Sequence, residues 1–225
     1  MAHMHKHRLL FAKQDRACYI SHLDLMRTFP RAFLRAGLHV KQTEGFNQHS
    51  FVSIALPLSL GYSSRCEILE FELLDQMPLS EVPARMNKVL PEGIVVLECY
   101  EAEKPCRNIR YLQWDCCLSF DQGIPAGAAD EFLKLYQADS LVIQKPSKKA
   151  KKGYTELDLI PLIHSLSAEE EGNDLVIHAV LAAQNPGLNP DLLVSTAAAR
   201  CPNFQPDFAS YGRCEVLDEN FEIFR

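Results

Sequence analysis

The sequence predicts an α+β chain built from two tandem ferredoxin-like units (βαββαβ), each with an antiparallel sheet. Three observations carry that expectation. Short segments alternate apolar and polar residues at strand spacing, helix-like segments separate them, and the order of the first half returns in the second. The charged stretch 101–110, which contains Pro105, suits a linker, so the units are expected at 1–105 and 106–225.

The first unit opens on a strand at 7–13. Helix signals follow over 21–36. Ser21 is a favourable N-cap, Asp24 takes the capping-box position, and Leu25, Phe29, Ala32, Phe33 and Ala36 form one apolar face. Gly37 supplies the stop signal. Pro30 lies inside the helix, where it removes a backbone hydrogen bond. Next come a strand at 38–42, a polar loop at 43–50 and an extended stretch at 51–60. Leu69, Phe71 and Leu73 alternate with Glu70 and Glu72, which predicts a half-buried strand over 65–74. A helix over 79–90 and an apolar strand at 94–100 complete the order.

In the second unit Leu112, Trp114, Cys116, Leu118 and Phe120 alternate as a strand. A helix over 126–138, a short strand at 140–144, a basic loop and an extended 156–163 follow, then an acidic turn at 169–174. The strand at 175–182 leads to a helix at 190–199, with Pro190 in its first turn, and to a last strand at 213–217.

Composition narrows the function classes. The chain has 225 residues, 47% hydrophobic and 23% charged, with a formal charge of −6. That is enough to bury a core, and it excludes disordered and collagen-like chains. No apolar run approaches the roughly 18 residues of a membrane helix, and no leader pattern opens the chain, so the expected location is cytoplasmic. Met1-Ala2-His3-Met4 reads as an expression remnant before a native start at Met4, which removes His3 and His5 as ligand candidates. The eight cysteines include no Cys-x-x-Cys pair and no cluster-binding run, and are expected to be small apolar filler. Phosphate-loop, His-Glu-x-x-His and Gly-x-Ser-x-Gly signatures are absent. The chain is expected to hold no metal and no cofactor of its own.

The charge is unevenly spread. Between Met4 and Glu44 there are eight basic residues against three acidic ones. Arg27, Arg31 and Arg35 recur at helical spacing and form a stripe. Lys145, Lys148, Lys149, Lys151 and Lys152 form a second basic cluster, followed by Tyr154. Such patches attract phosphate backbones, and the alternative is a solvated helix face and a solubilising loop. Gly61 and Tyr62 precede Ser63, Ser64 and Arg65, a loop that could hold an oxyanion or simply turn the chain. His22 at a helix start, and Asn47 with His49 in a polar loop, are candidate phosphate ligands. The two histidines could instead serve as a general acid–base pair, or as structural residues. Glu156 and Asp158 alternate with leucines and read as the wet side of a strand.

Two segments are distinctive together: Ser21-His22-Leu23-Asp24, and Glu44-Gly45-Phe46-Asn47-Gln48-His49-Ser50 running into Ser53–Gly61. They resemble the uncharacterised family of radical SAM-linked proteins, over about 8–74. The family's loop reads Glu-Gly-Phe-Asn-Pro-His-Pro and then a basic residue, whereas Gln48, Ser50 and Phe51 stand here. The resemblance implies a radical SAM protein as partner, to which an iron–sulfur cluster and S-adenosylmethionine would belong. The leading expectation is therefore a non-catalytic partner that binds RNA, transfer or ribosomal, and presents it for modification. Two alternatives stand beside it: a metal-independent endoribonuclease using His22 and His49, and an assembly module that contacts protein alone.

Overall fold

A computed structural model describes residues 6–46, 48–146 and 153–225. The chain divides into two compact units, 1–108 together with Arg225, and 109–224. Both are mixed α+β with antiparallel sheets.

In the first unit β1 (His7–Lys13) is central, and all seven of its residues are buried. It pairs antiparallel with β3 (Ser63–Phe71) on one side and β4 (Ile94–Glu101) on the other, while β2 (Val52–Ile54) pairs with β3. The spatial order is β4–β1–β3–β2. Helix α1 (His22–Arg35) packs Leu25, Phe29 and Phe33 against Leu9, Phe11 and Phe71 of the sheet. Ring contacts at 4.8 Å, Phe11 with Phe29 and Phe33 with Phe71, fix that packing. The Ser21 hydroxyl accepts the Asp24 N–H at 3.2 Å, so the cap forms, and the helix continues through Pro30.

Three first-unit expectations need correction. The 38–42 segment makes only isolated bridges, Val40 with Leu73 and Gln42 with Ser50. The stretch 51–60 is regular only over β2, and Pro57, which has no N–H, could not extend the ladder. The helix expected at 79–90 is a 3-10 turn, Leu79–Glu81, followed by the short α2 (Val82–Met86). Asn87 ends it by turning its side-chain amide to both backbone groups of Val96, at 2.8 Å each.

The second unit contains β5 (Tyr111–Ser119), α3 (Ala128–Leu135), β6 (Val142–Pro146) and β7 (Tyr154–Asp158), then β8 (Ile163–Glu171), β9 (Asp174–Ala182), α4 (Pro190–Arg200) and β10 (Phe208–Leu217). Its sheet runs β10–β5–β9–β8, antiparallel throughout. Strands β6 and β7 pair with each other as a hairpin outside that sheet. The segments expected as sheet strands at 140–144 and 156–163 thus belong largely to an insertion, and β8 fills the sheet position instead. The acidic 169–171 segment is the end of β8, not a turn. On an exposed strand end, charge discourages unwanted pairing. Asn189 caps α4 by accepting the Asp191 N–H at 3.1 Å. Phe132 stacks on Phe204 at 5.1 Å in a core with Leu193 and Ile177.

No helix among the described residues is long and apolar enough to cross a membrane. All eight cysteines are free thiols. Burial pushes the Cys99 and Cys116 thiols up to about 12 and Cys106 to about 11, which leaves them protonated and unreactive at neutral pH.

Candidate functional site

The sequence candidates do not gather into one site. His22 begins α1, and its Nδ1 is buried with no partner among the described residues. Asp24 bonds Ser21 and pairs with Arg27 at 3.3 Å, so it neither orients nor charges His22. Arg35 donates to the Val89 carbonyl at 2.9 Å, which ties it to the fold. Ser63, Ser64 and Arg65 are residues of β3, not of a loop. The Ser64 hydroxyl is buried and accepts the Cys66 N–H, so it is closed to a ligand. Only Arg65 of that trio faces solvent. Asn47, Lys148, Lys149, Lys151 and Lys152 lie outside the described residues, while Lys145 is exposed on β6.

What the fold does assemble is a cleft of about 600 Å³ between the second half of α1 and residues 38–42 and 49–50. Phe33, Leu38 and Val40 form its apolar floor, and Leu34 and Leu74, 79% and 59% exposed, its rim. The ionisable groups on its lining are Arg31, His39 and His49. His39 donates its N–H to Asp75 at 2.7 Å and sets its ring Nδ1 against the other carboxylate oxygen at 2.8 Å. The backbone bond and then the ring hold the Asp75 carboxyl below its ordinary value.

His49 closes its loop onto Thr43: their backbones bond at 2.7 Å, and the ring Nδ1 lies 3.1 Å from the Thr43 hydroxyl. At the tip Gly45 has φ +121°, a conformation that suits glycine, and Phe46 beside it is fully exposed. His22 stands about 12 Å along the helix axis from Pro30, the first α1 residue of the lining. The structure therefore brings Arg31 and His49 together and leaves His22 apart. Sequence reasoning missed His39, Phe46 and the exposed leucines. A phenylalanine beside a glycine in a polar loop, Gly45-Phe46, was the available signal.

The family described as uncharacterized protein conserved in bacteria (DUF2344) matches residues 6–190, which takes in α1, the cleft and most of the second unit. The chain belongs to that family. A comparison with curated proteins gives no match. Among solved structures, this DUF2344 chain is similar to one titled as a Cbf5-Nop10-Gar1 complex, with TM-score 0.53 and 9% identity. That match covers 95% of this chain and 50% of the other, so the chain spans about half of it. A weaker likeness, TM-score 0.28 and 10% identity, is to an unknown protein from Galdieria sulphuraria, covering 93% and 98% of the two chains. The first likeness concerns fold alone.

The second unit of the DUF2344 chain has its own groove, about 530 Å³, between the β6–β7 hairpin and α4. Gln144 and Glu156 line it from the hairpin, and Ser195 and Arg200 from the helix. Asp158 anchors the hairpin base through the Leu141 N–H at 2.9 Å, the Ser140 hydroxyl at 2.8 Å and the Ile160 N–H at 3.2 Å. Those bonds hold its carboxyl below the usual range, the Leu141 N–H foremost.

Proposed function

We propose that this chain is a non-catalytic, cytoplasmic RNA-binding partner of a separate radical SAM enzyme, to which it presents its RNA. The observation that carries the RNA half is the first-unit cleft, with Arg31, His39 and His49 around an apolar floor, and the fully exposed Phe46 three residues before His49 in the chain. Single-stranded RNA offers what such a surface takes. Its bases stack on aromatic rings and lie on apolar ground, and its phosphates seek cations. Among the described residues the lining holds no carboxylate, and the Asp75 carboxylate against His39 lies outside it. The radical SAM half rests on the Ser21–Asp24 and Glu44–Ser50 segments and their resemblance. The order of fourth, first, third and second strand in both units supports the tandem ferredoxin-like reading. Free thiols suit the reducing cytoplasm.

A non-catalytic role is supported by the separation of His22 from His49, since acid–base cleavage needs both at one phosphate. The test is retention of mixed cellular RNA by the purified chain at two salt concentrations. It is compared with Arg31→Glu, and with a variant that reverses Lys148, Lys149, Lys151 and Lys152. Retention that weakens with salt and falls in both variants, with intact RNA recovered, is the expected result. Cut RNA that stays whole with His22→Ala or His49→Ala would establish an endoribonuclease instead. No retention at modest salt would leave a module that contacts protein alone.

A further inference from the structure

In the second unit two backbone irregularities bring three rings together at the surface. Strand β8 pairs Ile163 with Leu181 and Ser165 with Val180, so His164 is the extra residue of a bulge, a device that re-aims a side chain. Phe221 has φ +61°, a left-handed conformation that a bulky residue seldom adopts. His164 stacks on Phe221 at 3.8 Å and 23°, and Tyr111 stacks on it at 4.4 Å and 20°. Unlike the Phe132–Phe204 pair in the core, this stack faces water: Phe221 is 39% exposed and His164 is an exposed residue. Neither ring nitrogen of His164 has a hydrogen-bond partner among the described residues.

Charge selects the occupant. The turn that presents Phe221 runs from Asp218 to Glu222. Asp218 fixes it by accepting the Asn220 N–H at 2.9 Å and the Glu222 N–H at 3.2 Å. Glu219 and Glu222 on the same turn are exposed, and no lysine or arginine lies between Leu217 and Ile223. Arg110, whose backbone N–H bonds the Leu217 carbonyl, is outnumbered by Asp218, Glu219 and Glu222, so the turn disfavours a polyanion. A planar cation is attracted twice, by the ring faces and by the carboxylates.

We infer that the Tyr111–His164–Phe221 stack, with Glu219 and Glu222, is a docking point for an arginine side chain of a protein partner. This deepens the partner half of the reading above and does not depend on RNA binding. The full chain, labelled with nitrogen-15, is titrated with acetyl-Gly-Arg-Gly-Arg-Gly-amide, with the same peptide carrying citrulline for arginine, and with adenosine monophosphate.

The arginine peptide is expected to move the amide signals of Tyr111, His164 and Phe221 saturably and to bind about fivefold tighter than the citrulline peptide. Phe221→Gly removes the ring and suits the left-handed backbone, so it should abolish the response while the melting temperature holds. The double variant Glu219→Gln, Glu222→Gln should weaken it. No saturable shift at millimolar peptide, or a shift caused by adenosine monophosphate instead, overturns the inference. Retention of RNA by Phe221→Gly separates this outcome from the fate of the RNA reading.

Discussion

The two units share a strand order and elaborate the same link. In the first, residues 38–42 and 49–50 of the connection between α1 and β2 form the wall of a cleft. In the second, the connection between α3 and β8 carries β6 and β7, which line a groove with α4. Sheet register leaves little freedom inside the strands, where a one-residue slip would turn every side chain to the wrong face. The link has no such constraint. Both interiors bury charge beside apolar rings. The first unit holds Arg8, Lys13 and Glu67 with Phe11, Phe29, Phe33 and Phe71, and the second holds Arg213 and Asp218 with Phe132, Phe204 and Tyr136.

Removing a ring from one interior and a charge partner from the other compares the two kinds of component. Phe132→Ala deletes a fully buried ring between two others and is expected to cost about 4 kcal/mol in urea unfolding. In the first unit Arg8 is 1% exposed, and its guanidinium pairs with Glu70, itself 16% exposed, at 2.8 Å. It also donates to the Lys104 and Arg225 carbonyls. Glu70→Ala leaves that charge without its carboxylate, an expected loss of about 3 kcal/mol. A cost below that of an exposed pair would show that the other partners of Arg8, the two carbonyls and Cys106 among them, satisfy it without Glu70.

The same pair gives a pH signature. Burial pushes the Glu70 carboxyl up, but the hydrogen bond from Arg8, the bond with Cys106 and attraction to Arg8 outweigh it and leave it below 4.5. Its contribution is therefore present above the unfolded value and lost as pH falls through the lower folded value. The stability gap between the native chain and Glu70→Gln should hold at neutral pH and close on acidification below about 4.5. A gap that widens on acidification would refute the pairing.

These interiors were unequally legible in the sequence. Helix α1 was readable from Ser21, Asp24 and the apolar stripe because its signals are local. The cleft was not, because its walls come from α1, 38–42, 49–50 and Leu74, and no spacing rule joins residues so far apart. Ser64 read as a loop hydroxyl because nothing local marks a strand that begins at Ser63. Glu156, Leu157 and Asp158 of β7 alternate as a sheet strand does, and only the pairing of β6 with β7 reveals that both stand outside the sheet.

At the cleft the expected effects are smaller. Arg31→Glu should lower RNA affinity about tenfold at low salt and reduce the slope of log affinity against log salt by about one. Arg35→Glu should leave that slope nearer the native value, since Arg35 is tied to the Val89 carbonyl. Equal slopes for the two variants would mean that RNA follows the whole stripe and not the cleft.

The smallest effect compares two caps. Ser21 caps α1 and Asn189 caps α4, each by one side-chain oxygen on a backbone N–H. Their alanine variants should each cost about 1 kcal/mol, measured by urea midpoint. Function should separate them only if the start of α1 takes part in binding. The cleft lining begins at Pro30, a good way down the helix from His22, so fraying of the first turn should leave RNA affinity unchanged in Ser21→Ala as in Asn189→Ala. A loss of affinity confined to Ser21→Ala would draw His22, whose buried Nδ1 has no partner among the described residues, into the binding surface. The cleft would then be one end of a longer track along α1.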